Sequence, residues 1–275
     1  MDRYAVIGNP VAHSKSPLIH EAFAGATGQC MRYERLLAPV DDFAATVQRF
    51  AEANGLGLNV TIPFKLEAFA LAREHSVRAQ AALACNTLAW RADHWFADNT
   101  DGAGLVRDLV HNLAETIADR NLLVLGAGGA ARGIVGALLA ERPRQLVIAN
   151  RTHAKAEALA ARFERNGPLS AQTLDSLSGR QFDIVINATS LGLGTSVPAG
   201  RWPRRLFAAQ ALAYDLVYAD RTTAFLHWAR GEGAQRTADG LGMLIEQAVE
   251  SFYLWRGVRP DTAPVFRLLR AASGA

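Results

Sequence analysis

A glycine-rich turn between a buried strand and a helix constrains the fold of this chain more than any other feature. The apolar run at residues 122–125 is followed at once by the small residues Gly126, Ala127, Gly128, Gly129, Ala130 and Ala131. A Gly-x-Gly-x-x-Ala spacing at such a place allows a tight turn, close approach of a pyrophosphate and close packing of helix on strand. Free backbone N–H groups and the helix dipole then face the phosphates. An ordinary strand-to-helix turn is the alternative, but the flanking elements favour a dinucleotide-binding turn.

Apolar runs of strand length alternate with longer Ala- and Leu-rich helical stretches along the chain. This alternation is typical of βα units that build a largely parallel sheet, so the sequence predicts the α/β class. Strands are predicted at residues 4–8, 32–37, 58–62, 122–125, 146–149, 184–188 and 211–216. Helices are predicted at residues 16–27, 40–54, 64–73, 154–165, 223–232 and 241–255, near residue 102, and from the glycine-rich turn to residue 141. Gly55, Gly57 and Asn59 are expected to interrupt the pattern before the third strand.

The segment after the next predicted strand indicates which dinucleotide binds. About 20 residues beyond the glycines, an NAD site carries an acidic residue for the ribose 2′-hydroxyl, whereas an NADP site carries cations around a 2′-phosphate. This chain has Asn150, Arg151 and Thr152 there, with Lys155 one turn into the next helix. Arg151 can offer a planar fork to a phosphate, Thr152 a hydroxyl and Lys155 a further charge. The pattern predicts NADP as cofactor, although such an arginine taken alone would be a solvated surface residue.

Two serines stand in a polar segment after the first predicted strand, where loops of open α/β sheets usually bind ligands. Ser14 and Ser16 could both donate hydrogen bonds to a carboxylate just before a helix whose N-terminus attracts anions. Ser16 before Pro17 is equally an ordinary N-cap, and the residues alone favour that interpretation.

Further polar side chains follow other strands of the N-terminal part. Alternation along the strand at 58–62 places Asn59 and Thr61 on one face, with Lys65 just beyond its end. A lysine at such a place is usually a surface charge. Asn86 and Asp101 lie in two segments rich in amides, hydroxyls and carboxylates, which would suit a polyhydroxylated ligand but also occur as turn residues.

Together and in this order, these segments resemble the shikimate dehydrogenase family over nearly all of the 275 residues. The family-like stretches are residues 5–10, 13–17 (His-Ser-Lys-Ser-Pro), 59–65, 99–102 (Asn-Thr-Asp-Gly), 126–131, 150–152, 187–190 and 239–244. No single stretch is enough to indicate the family, but the order of the stretches along one chain is. The resemblance implies a reversible, NADPH-dependent reduction of 3-dehydroshikimate to shikimate, in the route through chorismate to the aromatic amino acids.

Carried over position by position, the resemblance also implies residue roles. Lys65 and Asp101 would form the catalytic pair, with the lysine ammonium stabilising the negative charge that develops on the ketone oxygen and delivering a proton. Residues implied to bind the substrate are Ser14 and Ser16 at its carboxylate, Asn59, Thr61, Asn86, Asp101 and Gln247 at ring hydroxyls, and Tyr218 close by. Residues implied to bind the cofactor are Gly126, Ala127, Gly128, Gly129, Ala130, Asn150, Arg151, Thr152, Lys155, Thr189, Ser190, Leu216 and Gly240.

We expect two domains. Residues 1–101 would form an N-terminal α/β domain that binds substrate and carries the catalytic pair, and residues 237–275 would return to it as C-terminal helices. Residues 102–236 would form the Rossmann-type NADP-binding domain.

Composition argues against several other classes of protein. With 29 Lys and Arg against 26 Asp and Glu, and no block of like charge, there is little to attract nucleic acid. Cys30 and Cys85 are the only cysteines, and no cluster with histidine predicts a metal site. No leader or membrane-spanning segment is recognisable, so we expect a cytoplasmic protein that is a monomer or homodimer, with a small-molecule substrate and no membrane partner.

The resemblance has departures and rivals. Leu83 and Ala97 stand where relatives often have glycine, Leu216 where methionine is common, and Ala219-Asp220 replaces a turn that often contains proline. One alternative is a quinate/shikimate dehydrogenase with a broader substrate range or NAD use, against which Arg151 argues. The other is a sensor that binds NADP or shikimate without turnover, against which the retained catalytic pair argues.

Overall fold

The computed structural model describes residues 1–189 and 202–272 and has an α/β fold. Its strands are β1 (Asp2–Gly8), β2 (Met31–Leu37), β3 (Gly55–Val60), β4 (Glu74–His75), β5 (Thr87–Arg91), β6 (His94–Asp98), β7 (Asn121–Leu125), β8 (Gln145–Ala149), β9 (Leu169–Gln172), β10 (Phe182–Asn187), β11 (Phe207–Asp215) and β12 (Arg236–Ala238). Its α-helices are α1 (Ser16–Thr27), α2 (Phe43–Glu52), α3 (Lys65–Leu71), α4 (Val77–Ala82), α5 (Asp101–Arg107), α6 (Gly129–Ala140), α7 (His153–Arg162), α8 (Ala224–Gly231), α9 (Leu241–Arg256) and α10 (Ala263–Ala272). The predicted α/β class is confirmed.

The chain divides into two compact units, each with its own sheet. The first unit comprises Met1–Leu105 and Leu244–Ala275, and the second comprises Val106–Met243. Among the described residues, the first sheet has the strand order β2-β1-β3-β5-β6-β4 and the second has the order β12-β11-β10-β7-β8-β9. No helix in residues 1–189 and 202–272 is both long and apolar enough to cross a membrane.

The sheet of the first unit is mixed. Strand β1 runs parallel to β2 and β3, whereas β5 runs antiparallel to both β3 and β6. No local pattern in the sequence predicts the hairpin of β5 and β6. Its turn uses Ala92 with a φ of 52°, in place of the Asn-Gly or Asp-Gly pair that usually marks such a turn.

Two glycines that we expected to interrupt regular structure lie inside β3 instead. A Cβ at Gly55 would stand 2.1 Å from Cε1 of Phe50, and a Cβ at Gly57 would stand 2.4 Å from Nε1 of Trp255. The glycines are therefore needed because aromatic rings pack directly on the strand backbone. Local sequence cannot reveal the contact at Gly57, since Trp255 is far away along the chain.

Leu83 occupies a left-handed position after α4, with φ 48° and ψ 37°. This conformation crowds the Cβ of an L-residue, at a cost of roughly 1–2 kcal/mol, and is usually given to glycine. The sequence departure at Leu83 thus coincides with a position whose backbone conformation favours glycine. The side chain is 38% exposed, so burial offsets little of the cost.

The second unit has the strand order of a dinucleotide-binding fold. Its described strands pair in parallel, and β7 lies between β8 and β10. Counted from β7, the order is 3-2-1-4-5-6, the doubly wound arrangement in which ligands bind beyond the carboxyl ends of the strands where the order reverses. This reversal lies between β7 and β10, so the turn at Gly126 and the segment after Asn187 meet there.

Candidate active site

Lys65 and Asp101 form an ion pair in the first unit. Lys65 is the first residue of α3, shortly after β3, and Asp101 is the first residue of α5, shortly after β6. The lysine Nζ lies 2.5 Å from Oδ2 of Asp101, and the two side chains are 15% and 5% exposed. Lys65 is therefore a mostly buried ammonium held by a carboxylate, which its position in the sequence alone did not indicate.

Asn86 holds the other oxygen of the same carboxylate. Its Nδ2 donates to Oδ1 of Asp101 at 2.9 Å and to Oε1 of Gln247 at 3.0 Å. Its Oδ1 accepts from the backbone N–H of Thr100 at 2.8 Å. The structure thus brings Lys65, Asn86, Asp101 and Gln247 together as one hydrogen-bonded group, whose charged, donor and acceptor functions suit a polyhydroxylated ligand.

Ser14 and Ser16 are buried next to each other. Their Oγ atoms lie 3.1 Å apart, and Ser14 Oγ also accepts from the backbone N–H of Ser16 at 3.3 Å. The N-cap of α1 is Lys15, without a side-chain capping bond, so Ser16 is not the N-cap that the residues alone favoured. Arg35 donates from Nε and Nη2 to the Ser14 carbonyl, at 3.0 and 2.6 Å. This arrangement holds both hydroxyls together beside a cation.

The remaining residues expected around the substrate lie in different places. Asn59 is in β3 and is buried, and its side chain hydrogen-bonds to other protein groups, which are His20, Tyr33, Asn86, Thr87 and Ser251. Thr61 is half-buried and follows the end of β3, its backbone N–H donating to the Ile7 carbonyl at 2.9 Å. Tyr218 belongs to the second unit, shortly after β11, and is half-buried.

A second ion pair, which we did not predict, supports the segment before Asp101. Arg78 donates from Nε and Nη2 to the carboxylate of Asp98 at 2.7 and 2.6 Å, and Asp98 also accepts from the Asn99 backbone N–H at 2.7 Å. Burial alone would raise the pKa of the Asp98 carboxyl, but the hydrogen bonds and charge of Arg78, with Ser76 and the Asn99 amide, hold it below its ordinary value. Nothing in the sequence links Arg78 to Asp98 before the chain folds.

Cys85 lies near Lys65, Asp98 and Asp101, but its environment makes the thiol unreactive. It is fully buried, and burial raises the pKa of its thiol. A nucleophilic cysteine needs the opposite shift, since the thiolate is the reactive form. Of the residues that the structure describes, no group of three or more His, Cys, Asp and Glu could hold a metal ion.

The glycine-rich turn of the second unit has room for a phosphate. Gly126 has a φ of 116°, and a Cβ there would lie 2.9 Å from the carbonyl oxygen of Ala188. Gly128 is the N-cap of α6, without a side-chain capping bond, and a Cβ there would meet no atom of the described residues within 4 Å. Gly129 and Ala130 begin α6, and Ala127 joins the two glycines of the turn. The first N–H groups of a helix have no partner within the helix, so this turn fits the pyrophosphate of a dinucleotide.

The segment after β8 fits a 2′-phosphate. Arg151, Thr152 and Lys155 are all exposed, and none of them is paired with a carboxylate among the described residues. Asn150 donates from Nδ2 to the Thr152 carbonyl at 2.9 Å, which shapes the loop between them. Two available cations and a hydroxyl at this edge are the groups that bind a phosphate monoester.

Backbone contacts join the two positions expected at the nicotinamide end of the cofactor. The N–H of Gly240 donates to the Val217 carbonyl at 3.2 Å, and a Cβ at Gly240 would stand 2.2 Å from the carbonyl oxygen of Leu216. Thr189 donates from Oγ1 to Oδ1 of Asn187 at 2.7 Å. Leu216 and Gly240 are therefore adjacent, and glycine is required at 240. Ser190 lies outside the described residues.

Asp215, at the end of β11, has a buried carboxyl that contacts the end of β10 and the segment after β11. It accepts from Asn187 Nδ2 at 2.9 Å, from the Val217 backbone N–H at 3.1 Å and from Thr223 Oγ1 at 2.6 Å. Burial raises its pKa to about 6, and these hydrogen bonds oppose the shift without cancelling it. Asp215 thus ties together the segments that follow β10 and β11 and the start of α8.

This raised pKa predicts a pH-dependent stability. Because the folded-state pKa is about 6 and the ordinary value is 3.8, the carboxyl favours folding most below pH 4 and loses that stabilisation as the pH rises to 6. The difference corresponds to about 3 kcal/mol. The Asp215→Asn variant keeps an oxygen for Asn187 and Val217 but cannot titrate, so its stability relative to wild type should increase between pH 4 and 6. Urea unfolding at several pH values measures this, and a constant difference would contradict it.

Three segments of the chain match models of one family. Residues 6–88 match the shikimate dehydrogenase substrate binding domain, and residues 108–193 match the model described as shikimate / quinate 5-dehydrogenase. Residues 240–270 match the shikimate 5′-dehydrogenase C-terminal domain. Together these segments cover most of the chain, in the order expected from the resemblance.

Individual relatives and solved structures agree with this match. A relative from Aromatoleum aromaticum, named shikimate dehydrogenase (NADP(+)), is 57% identical over 273 residues, which cover 98% of this chain and 97% of the relative. The crystal structure of an Ael1 enzyme from Pseudomonas putida is 48% identical, with a TM-score of 0.89 and 98% of each chain covered. Shikimate 5-dehydrogenase from Thermus thermophilus, crystallised with NADP(H) and shikimate, is 32% identical, with a TM-score of 0.83 and 99% of this chain and 100% of that chain covered. The predicted family is confirmed: the chain belongs to the shikimate dehydrogenases.

Proposed function

We propose that this protein catalyses the reversible, NADPH-dependent reduction of 3-dehydroshikimate to shikimate. The observation that carries the proposal is the mostly buried ammonium of Lys65, 2.5 Å from the carboxylate of Asp101. It occurs in a member of the family that also has Arg151, Thr152 and Lys155 after β8. The reaction needs a group that stabilises negative charge on a ketone oxygen and supplies a proton, and a buried ammonium does both. Its product would feed aromatic amino-acid synthesis through chorismate.

The first unit supplies the groups that would hold the substrate. Ser14 and Ser16 would bind the carboxylate with their hydroxyls, near the positive end of the α1 dipole. Asn86, Asp101 and Gln247 would bind ring hydroxyls, because their side chains already form one polar group. Contacts of Thr61 and Tyr218 with the substrate stay predictions, as does that of Asn59, whose amide binds protein groups in this structure.

The second unit supplies the groups that would hold the cofactor. Gly126, Gly128 and the first N–H groups of α6 would bind the pyrophosphate. The cations Arg151 and Lys155, with Thr152 and Asn150, would bind the 2′-phosphate and so favour NADP over NAD. The bound cofactor supplies a hydride for the carbonyl carbon. Thr189, Ser190, Leu216 and Gly240 are proposed to border its nicotinamide end.

Lys65 and Asp101 have different roles in the proposed reaction. Asp101 holds Lys65 through Oδ2 while Asn86 binds Oδ1, so the ammonium has a defined position. Lys65 would stabilise the developing alkoxide and donate a proton from Nζ to it. In the reverse direction the neutral amine would accept that proton from the hydroxyl. Burial of the pair excludes water that would weaken this electrostatic effect.

A spectrophotometric assay tests this function. The rate of NADPH formation at 340 nm would be measured with shikimate, with quinate and without either, and each arm would be repeated with NAD in place of NADP. We expect NADPH formation with shikimate and much slower reactions in the other arms. Fast turnover of quinate or with NAD would favour a quinate/shikimate dehydrogenase, and binding of NADP without any turnover would favour a sensor. The cytoplasmic location and the monomeric or homodimeric state stay predictions.

A further inference from the structure

A fully buried histidine that the proposed reaction does not use lies in the first unit. His20, in α1, stacks on Tyr33 with ring centroids 4.2 Å apart and planes 8° apart, and Phe23, Phe252 and Trp255 also pack around its ring. Burial lowers its pKa to about 3, so the ring is neutral near pH 7. Its Nε2 lies 3.1 Å from Oδ1 of Asn59, whereas its Nδ1 has no hydrogen-bond partner in the part of the chain that the structure describes.

The contacts of Asn59 determine how its amide is oriented and which nitrogen of His20 carries the proton. One amide atom lies 3.3 Å from the backbone carbonyl of Asn86, which can only accept, so this atom must be Nδ2. The opposite atom, Oδ1, therefore accepts from the Tyr33 hydroxyl at 2.7 Å and from His20 Nε2. His20 must then carry its proton on Nε2, and both acceptor positions of Oδ1 are filled by protein groups.

From Asn59 a continuous series of polar contacts leads to Lys65. The first four links are side-chain hydrogen bonds between buried groups, and the last joins buried Asp101 to the mostly buried Lys65 of the proposed catalytic pair. The links are Asn59 Nδ2 to Ser251 Oγ at 2.8 Å, Ser251 Oγ to Thr87 Oγ1 at 2.8 Å, Thr87 Oγ1 to Asn86 Oδ1 at 3.1 Å, Asn86 Nδ2 to Asp101 Oδ1 at 2.9 Å, and Asp101 Oδ2 to Lys65 Nζ at 2.5 Å.

We propose that Tyr33 and His20 are positioning residues for the reaction, and that they act by holding the Asn59 amide in place. Two donors on Oδ1 keep Nδ2 directed at Ser251 and at the Asn86 carbonyl. Asn86 in turn binds the carboxylate that holds Lys65, and buried networks of this kind respond as a unit when one member is lost. The inference rests on the proposed function, since its readout is the turnover of shikimate.

The Tyr33→Phe variant tests the inference with the smallest change in shape. It removes one donor to Asn59 and keeps the ring that stacks on His20. We expect kcat for shikimate oxidation to fall about threefold to tenfold, the scale of one ordinary hydrogen bond, with KM for NADP unchanged. Activity would be expressed per folded protein, using the stoichiometry of NADPH binding, so that a loss of stability alone would leave kcat unchanged.

Two substitutions of His20 separate the effect of losing the Nε2 donor from the effect of losing the ring. The amide nitrogen of glutamine can reach the place of Nε2, whereas that of asparagine matches only Nδ1, so His20→Gln should keep more activity than His20→Asn.

The matched control is Tyr253→Phe, because Tyr253 is 45% exposed on α9 of the same unit. This variant should leave all kinetic constants unchanged. Wild-type kcat in Tyr33→Phe, or equal activity of the two His20 variants, would overturn the inference alone. A wild-type protein without shikimate-dependent NADPH formation would overturn the proposed function and this inference with it.

Discussion

Replacement of Lys65 by alanine is expected to lower kcat for shikimate oxidation by about a hundredfold or more, the usual scale for a lost acid–base group. The ammonium is mostly buried and bound to Asp101 at 2.5 Å. In its absence no group at this position can donate to or accept from the reacting oxygen. Substrate should still bind, because the proposed contacts of Ser14, Ser16 and Asn86 remain. Steady-state kinetics and calorimetric titration with shikimate measure the two quantities separately.

The control for this variant is Glu67→Ala. Glu67 is exposed on the same short helix, α3, so its removal tests whether changes in this helix affect turnover without touching the pair. We expect wild-type kinetics for it. Near-normal turnover of the Lys65→Ala variant would remove Lys65 from the mechanism. A variant that no longer binds shikimate would instead assign the lysine a role in binding.

Replacement of Arg151 by alanine is expected to raise KM for NADPH by about tenfold or more and to leave KM for NADH nearly unchanged. Hydrogen bonds to charged groups contribute about 1.5–3 kcal/mol, and an arginine–phosphate contact can be bidentate. NADH has no 2′-phosphate, so it cannot lose this contact. The ratio of kcat/KM for the two cofactors therefore measures the contribution of Arg151 directly.

The salt dependence of the same ratio strengthens this test. An exposed ionic contact is screened by salt, so the wild-type preference for NADPH should decrease at high ionic strength and that of the variant should change less. Arg165→Ala is the control, because Arg165 is exposed just beyond the end of α7. Equal losses for NADPH and NADH in the Arg151→Ala variant would show that the arginine supports the loop and does not recognise the phosphate.

Local patterns along the chain were sufficient for much of the fold. The helix predicted at residues 16–27 agrees with α1 (Ser16–Thr27), and the predicted strand at 122–125 lies within β7 (Asn121–Leu125). Both depend on contacts between residues close in sequence, which periodicity describes well. The hairpin of β5 and β6 was missed because its turn, at Ala92, carries none of the usual turn residues.

The site was harder to predict than the fold. Taken alone, Lys65 had the pattern of a surface charge, and only the order of several motifs pointed to catalysis. Arg78, which holds Asp98, and His20, which binds Asn59, gave no signal, since their partners come from elements distant along the chain. An alternation of polar and apolar residues shows which face a side chain is on, but not which side chain opposes it.

The α/β class, the glycine-rich turn at Gly126 and the family follow from residue order, because each depends on residue types at fixed spacing within one segment or on the order of such segments. Only the folded chain shows that Lys65 packs against Asp101, that Gly57 is needed beneath Trp255, and that the Asp215 carboxyl has a raised pKa. These properties arise from burial and from contacts between distant segments. Both exist only after the chain has folded.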